Sequence, residues 1–239
     1  MTTAPQKAMV FAAGLGTRMR PLTATRPKSL IVVAGQTLLD HALDRLAEAG
    51  IREAVVNTHY LPDQIAGHIA RQQGAGRTPL TLNVTHEPRL LDTGGGLKAA
   101  LPRLGTDPVL TLNTDAIWQG PPPLPPLLSA WAPERMDALL LLVRLGAAVA
   151  HPGAGDFDLD PAGRLIRRGA RPSAAYVYTG AQILKTARVA AAPDAVFSLN
   201  PIWDEIIAEG RAFGLLYAGH WGDVGHPAAL PLVEAMVTA

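Results

Sequence analysis

Cysteine is absent from the 239 residues, which excludes a disulfide framework and any thiolate metal site. Long hydrophobic runs are missing as well. The most apolar segment, ALLLLVRLGAAVA from Ala138, is too short to span a bilayer and carries Arg144. The N-terminal MTTAPQK is polar, and the apolar run after it has only the length of a strand, so no secretory signal is visible. A soluble, cytoplasmic protein without membrane contact is expected. Charge of one sign does not accumulate either. The 21 Lys and Arg against 20 Asp and Glu leave a net +1, which gives no general attraction to nucleic acid. There is no internal repeat, and no low-complexity tract apart from GPPPLPP at 120–126. What remains is a globular composition, 48% apolar and 17% charged, long enough for one large domain with a sizeable core.

One local absence is more specific. No Asp or Glu precedes Asp40, whereas Lys7, Arg18, Arg20, Arg26 and Lys28 all do. Five cations threaded through glycines point to a small polyanionic ligand. Most of them lie in AAGLGTRMRPLTATRPK, from Ala12 to Lys28, directly after the strand-like KAMVFAA. Glycines after a strand let backbone N–H groups approach a phosphate. Arg18 adds a bidentate fork and Lys28 a point charge. Pro21 and Pro27 hold the segment out of a helix, so it wraps. It is not a P-loop, because no G-x-x-x-x-G-K-[ST] string exists. Nor is it a dinucleotide fingerprint: Met19 stands where the third glycine would be, and Asp40, near the spacing of a ribose ligand, falls inside a helical pattern.

Apolar periodicity gives strands at KAMVFAA, EAVVNT, LTLNVTHE and DPVLTLNTD, alternating with helices at TLLDHALDRLAEAG, LPDQIAGHIARQ and GGLKAALPRL. This alternation predicts an α/β fold with a doubly wound, mostly parallel sheet, which binds ligands beyond the carboxyl ends of its strands. The loops at 13–28, 87–96 and 113–118 then share one rim. GPPPLPP reads as a rigid connector. After it come strands at ALLLLV, DFDLD, GRLIRR, AAYVYTGAQIL and AFGLLYA, a helix at NPIWDEIIAEG, the segment GHWGDVGH and a last helix. The division expected is one domain over 1–239, with about 1–118 serving the nucleotide and about 119–239 the second substrate.

Three more motifs carry candidate chemistry. LNTD ends a strand in Asp115, a placement that suits a Mg²⁺ ligand but equally suits a turn or N-cap residue. EPRLLDTGGGLKAAL, from Glu87, has a T-G-G-G turn where backbone passes close to something flat or adopts positive φ. GHWGDVGH holds Asp223, and its His220 and His226 lack a third ligand at a spacing that would make a zinc site.

GLGTRMRPLTATRPK resembles the signature G-x-G-x-R-x-x-P-L-T-x-x-x-P-K of sugar-1-phosphate nucleotidylyltransferases and matches it at every fixed position. The resemblance implies a Rossmann-like mixed sheet with a smaller sugar-binding lobe, and a nucleoside triphosphate and a sugar 1-phosphate as substrates. It implies that Ala13, Gly14, Gly16 and Thr17 embrace the triphosphate, that Arg18 steadies the departing pyrophosphate, and that Lys28 bridges the reacting phosphates. Asp115 and Asp223 are the implied Mg²⁺ ligands, with Thr114 where glycine is usual and His226 where threonine is usual. Glu87, Gly94 and Gly95 are the implied contacts to base and ribose. A carboxylate at Glu87 suits uracil and guanine alike.

The second half is similar to the same family through Gly155, Asp156 and Phe157, through Thr179 and Gly180, and through Trp221 in GHW-x-DVG. Asp156, Gly180 and Trp221 are thereby implied on the sugar side. Arg171, in ARP, stands where many relatives carry a lysine in E-K-P, and is either its substitute or a surface residue. UTP with N-acetylmuramate 1-phosphate, in cell-wall sugar recycling, is the implied substrate pair, and GTP with mannose 1-phosphate is the alternative. A non-catalytic nucleotide-binding relative would not need two separated metal carboxylates. A monomer or small homo-oligomer is expected.

Overall fold

The structure is a computed structural model in which residues 4–105 and 108–238 are described. In chain order the elements are β1 (Lys7–Phe11), β2 (Val32–Val33), β3 (Gln36–Thr37), α1 (Leu38–Glu48), β4 (Glu53–Thr58), α2 (Pro62–Gly74) and β5 (Thr81–His86). Then follow α3 (Asp92–Leu104), β6 (Val109–Asn113), β7 (Ala116–Gln119), α4 (Leu124–Ala130), β8 (Ala138–Arg144), β9 (Ala148–Val149), β10 (Phe157–Leu159) and β11 (Leu165–Arg167). The last are β12 (Tyr176–Leu184), α5 (Ala187–Ala191), α6 (Asn200–Ala208), β13 (Ala212–Leu216), β14 (His220–Asp223) and α7 (Ala229–Thr238).

The main sheet runs β11-β10-β12-β6-β1-β4-β5, with β8 on β12 and β13 on β8. β6, β1, β4 and β5 are mutually parallel; the inner strands β6, β1 and β4 are largely buried and mostly apolar, whereas β5 at the edge alternates as TLNVTH. β12 is antiparallel to β6 and to β8, and so joins the two halves of the chain in a single mixed sheet. One face is covered by α1, α2 and α4 through Leu39, Leu43, Leu46, Ile65, Ile69, Leu124 and Leu127. The other is covered by α3 and α6 through Leu97, Leu104, Ile202 and Ile206. A third cluster, set apart, gathers Met19, Ile31, Leu38, Ile117, Val224, Val233 and Met236 beneath the basic loop.

Two sequence expectations need correction. GPPPLPP is not all connector: α4 begins inside it at Leu124. Proline lacks only an N–H that the first helical turn leaves without an intrahelical partner, so Pro125 costs nothing there. The loop expected at 113–118 contains β7, which pairs with β14 in a second, three-stranded sheet β7-β14-β9, so GHWGDVGH is largely strand too. At that junction Tyr217 is buried, and its hydroxyl lies 3.0 Å from the Gln119 carbonyl and 2.8 Å from that of Pro121. Burial raises its phenol above the ordinary range.

Far from the rim, Asp137 at the start of β8 meets Lys185 at 2.8 Å, Arg211 at 2.9 Å and Arg188 at 3.4 Å. Partial burial pushes its carboxyl up. Hydrogen bonds from Arg211 and Lys185, with their charges, outweigh this and hold it well below the usual carboxylate range. Asp137→Asn leaves three cations facing a neutral amide and is expected to cost about 2 kcal/mol at pH 7. Because the native pKa is depressed, this stability is full above the unfolded value near ~4 and is lost as pH falls through the native one. Urea melts should therefore show wild type and variant converging only well below pH ~4.

Candidate active site

The basic loop is held from both ends. At its start, Ala12 N–H donates to Asn57 Oδ1 at 2.8 Å, and Asn57 Nδ2 donates to Glu87 Oε1 at 2.7 Å. The other oxygen of Glu87 accepts the Leu91 N–H at 3.0 Å. This chain of bonds ties together the carboxyl ends of β1, β4 and β5. Glu87 is only 3% exposed, so in this structure it binds the loops to one another while lining the cleft they form. Asn57 went unnoticed in the sequence. Its sequence signal is an amide directly after the apolar run of β4, at the carboxyl end of the strand.

Further along, Met19 is fully buried in the third cluster. The residue in place of a third glycine is thus a core anchor, at the end of a short 3₁₀ turn over Thr17–Met19. Thr23 Oγ1 donates to the Gly16 carbonyl at 2.8 Å, and Tyr60 and Gln64 of the α2 region donate to the carbonyls of Thr23, Ala24 and Thr25 at 2.9–3.0 Å. Between these ties Ala13, Gly14, Gly16, Thr17, Arg18 and Lys28 all line one cleft of about 650 Å³.

Opposite lies an acidic corner. Asp115 follows β6, where the Thr114 hydroxyl donates to the Phe11 carbonyl at 3.0 Å and locks the turn. The β7–β14 register pairs Asp223 with Ala116, the neighbour of Asp115, and the Val224 N–H donates to the Asp115 carbonyl at 2.9 Å. Two carboxylates distant in sequence therefore share one corner. Lys28 Nζ sits 2.7 Å from Asp115 Oδ2, and His151 Nδ1 sits 3.1 Å from Asp223 Oδ2. No group of three or more His, Cys, Asp or Glu placed to hold a metal ion occurs among the described residues. Asp115 lines the cleft, whereas Asp223 stands beside Asp115 through the backbone pairing without lining it. Such a pair of carboxylates fits Mg²⁺, which binds through one or two carboxylates and completes its shell with substrate phosphates and water.

Other sequence candidates lie elsewhere. The amides of Gly94 and Gly95 both donate to the Phe197 carbonyl, at 2.9 and 3.0 Å. A Cβ on Gly94 would stand 2.3 Å from the Phe197 ring, and one on Gly95 would stand 2.2 Å from the Ala195 carbonyl oxygen. The flat neighbour that demands glycine is here Phe197, and neither glycine is among the residues lining the cleft.

Asp156 accepts the Tyr178 N–H at 2.9 Å. Gly180, with φ of 88°, makes the irregularity in β12 that brings that strand against Asn113 on the cleft wall. Trp221 is buried, its Nε1–H donating to the Thr179 carbonyl at 3.0 Å. Arg171 is exposed and tied to its own loop, through the carbonyls of Arg168 and Arg167 and through Asp158. None of these four lines the cleft. The cleft mouth is instead edged by three exposed apolar side chains from three loops, Leu15, Leu90 and Val196.

A basic glycine loop facing an acidic corner, across a cleft on the carboxyl rim of a doubly wound sheet, defines a nucleotidyltransferase. The sequence family described as nucleotidyl transferase matches residues 7–146, and the chain belongs to that family and is an enzyme of that class. The chain is 42% identical over 237 residues to an N-acetylmuramate alpha-1-phosphate uridylyltransferase of Caulobacter vibrioides, with 98% of each chain covered. It is 32% identical to the protein of that name from Neisseria meningitidis, covering 98% of this chain and 99% of the relative. The crystal structure of a putative glucose-1-phosphate thymidylyltransferase from Bacillus anthracis, in complex with sucrose, superimposes with a TM-score of 0.81 at 18% identity. The match covers 97% of this chain and 94% of the other, and supports the fold alone. No helix among the described residues is long and apolar enough to cross a membrane.

Proposed function

We propose that the chain transfers a uridylyl group from UTP to N-acetylmuramate 1-phosphate, releasing pyrophosphate, with Mg²⁺ as cofactor, in cytoplasmic recycling of cell-wall sugar. The observation that carries the reaction type is the approach of Lys28 to Asp115 in the cleft that Arg18 also lines, with Asp223 on the strand paired next to Asp115. The 42% identity along nearly the whole chain to a uridylyltransferase of that substrate supports the choice of sugar and base. Asp115 and Asp223 would hold the metal, which neutralises phosphate charge and aligns the triphosphate.

The sugar phosphate is largely a dianion at neutral pH, its second pKa being near ~6, so no general base is required. Its oxygen forms a bond to the α-phosphorus while the bond from that phosphorus to the β-bridging oxygen breaks. The electron pair leaves with pyrophosphate. The chain's own residues lower the cost of bringing two anions together. Amides of Gly14 to Thr17 hold the phosphates, Arg18 bears the charge growing on pyrophosphate, and Lys28 sits between attacking and attacked phosphates. The about 1–118 segment supplies the nucleotide side and about 119–239 the sugar side.

A substrate grid tests this reading: UTP, GTP, dTTP, CTP and ATP against the 1-phosphates of N-acetylmuramate, N-acetylglucosamine, glucose, mannose and heptose, scored by pyrophosphate. UTP with N-acetylmuramate 1-phosphate is expected to give the highest kcat/KM. Preference for GTP with mannose 1-phosphate would replace it with the guanylyl alternative. Nucleotide binding without turnover on any pair would make the chain a binding relative.

A further inference from the structure

Asp223 does not stand alone at the acidic corner. We infer that His151 is a positioning residue for it, holding its carboxylate in the orientation from which it ligates the metal; this rests on the reading of Asp223 as a metal ligand. The backbone delivers His151 there deliberately. β9 pairs with β14 in parallel, Ala148 with Trp221 and Val149 with Gly222, so the chain leaving β9 runs toward Asp223. It then turns at Ala150, whose φ of 59° is left-handed backbone that a non-glycine residue enters at a cost of order 1–2 kcal/mol. The next side chain is His151, and its Nδ1 lies 3.1 Å from Asp223 Oδ2.

The ring is caged on its other sides. It packs on Trp221 with centroids 5.8 Å apart, and a Cβ on Gly153 would fall 2.4 Å from its Nε2. A carboxylate only accepts, so Nδ1 carries the hydrogen. Nε2 is buried without a hydrogen-bond partner, a cost that makes sense if the ring is fixed for what Nδ1 does. With Lys28 on Asp115 and His151 on Asp223, each carboxylate of the pair has one oxygen held by a cation or N–H donor. The remaining oxygens are thereby oriented, as hydrogen-bond partners of metal-ligating groups commonly do.

The test uses Mn²⁺ as probe, its free signal followed by EPR during titration of the whole protein with and without UTP, in the absence of sugar phosphate. His151→Leu is expected to weaken Mn²⁺ binding about 10- to 100-fold. His151→Asn keeps an N–H donor and is expected to stay within about threefold of wild type. If the leucine variant does not fold in EDTA, His151→Ala carries the same expectation. Asp223→Asn separates the two claims. If it loses Mn²⁺ while His151→Leu and His151→Ala bind like wild type, the positioning role is overturned and the metal site stands. If Asp223→Asn binds like wild type, or wild type takes up no Mn²⁺, the metal reading falls and the role of His151 falls with it. Equal weakening in the leucine and asparagine variants would also overturn the role, because it would show that bulk rather than the hydrogen bond matters.

Discussion

Asp115→Asn is expected to lower kcat about a thousandfold, or about 4 kcal/mol of transition-state stabilisation, with little effect on the melting temperature. The substitution keeps shape and removes one charge. Asparagine still accepts a hydrogen bond from Lys28, whose Nζ lies 2.7 Å from the present carboxylate, so the corner should stay folded. On the proposed function, what is lost is an anionic ligand for Mg²⁺ beside the triphosphate. Lys28→Met removes the cation from the same pair and should cost a comparable factor. The double variant should be far less damaged than the product of the two, because groups that act as a unit are not additive. Pyrophosphate release at saturating substrates is the measurement. Turnover of Asp115→Asn within tenfold of wild type would remove Asp115 from the metal role.

Gly155→Ala is expected to destabilise the fold by about 4 kcal/mol and lower the melting temperature by about 10 °C. Gly155 sits at φ 88°, and a Cβ there would lie 2.2 Å from the Ala174 carbonyl oxygen, with the carbon and nitrogen of Ala174 at 2.9 and 3.1 Å. All three are backbone atoms that cannot swing aside. The Ala174 N–H donates to the Ala154 carbonyl at 2.9 Å, and the neighbouring Ala175 carbonyl accepts from Leu145 at 2.8 Å. Separating the strands would break these bonds. Gly163→Ala isolates the conformational part of the cost, since its φ is 83° but nothing lies within 4 Å of its Cβ. That variant should lose only about 1 kcal/mol. Equal melting temperatures for the two would show that the clash at Gly155 is relieved elsewhere.

The first half of the fold was legible because its physics is local. Parallel strands buried on both faces write themselves as apolar runs, and amphipathic helices write a 3.6-residue stripe, as in LLDHALDRLAE. The basic loop was legible for the same reason: its cations, glycines and prolines act within seventeen residues. The rest depends on pairings the chain makes at long range. β7 is four residues whose strand character comes from β14, about a hundred positions away. His151 is one of seven histidines, and only its register beside Asp223 distinguishes it. T-G-G-G announced a close approach correctly, but it is not the turn expected at 87–96: it forms the start of α3, none of its glycines has positive φ, and Phe197 makes the approach. Arg171 carried the right charge in a string near the expected one, yet its donors are used by Asp158 and by carbonyls of its own loop.

The clamp at Tyr217 has a mechanical consequence. Gly120 stands just past the proposed boundary between the 1–118 and 119–239 segments, where a two-lobed enzyme would place a hinge. One phenol O–H lies within reach of the carbonyls on both sides of that point and is shared between them, and β12 lies hydrogen-bonded along β6. A pivot there would break those bonds at every turnover. The fold therefore disfavours a hinge at Gly120. Leu15, Leu90 and Val196, the exposed apolar side chains lining the cleft, come instead from three separate loops that those bonds do not tie.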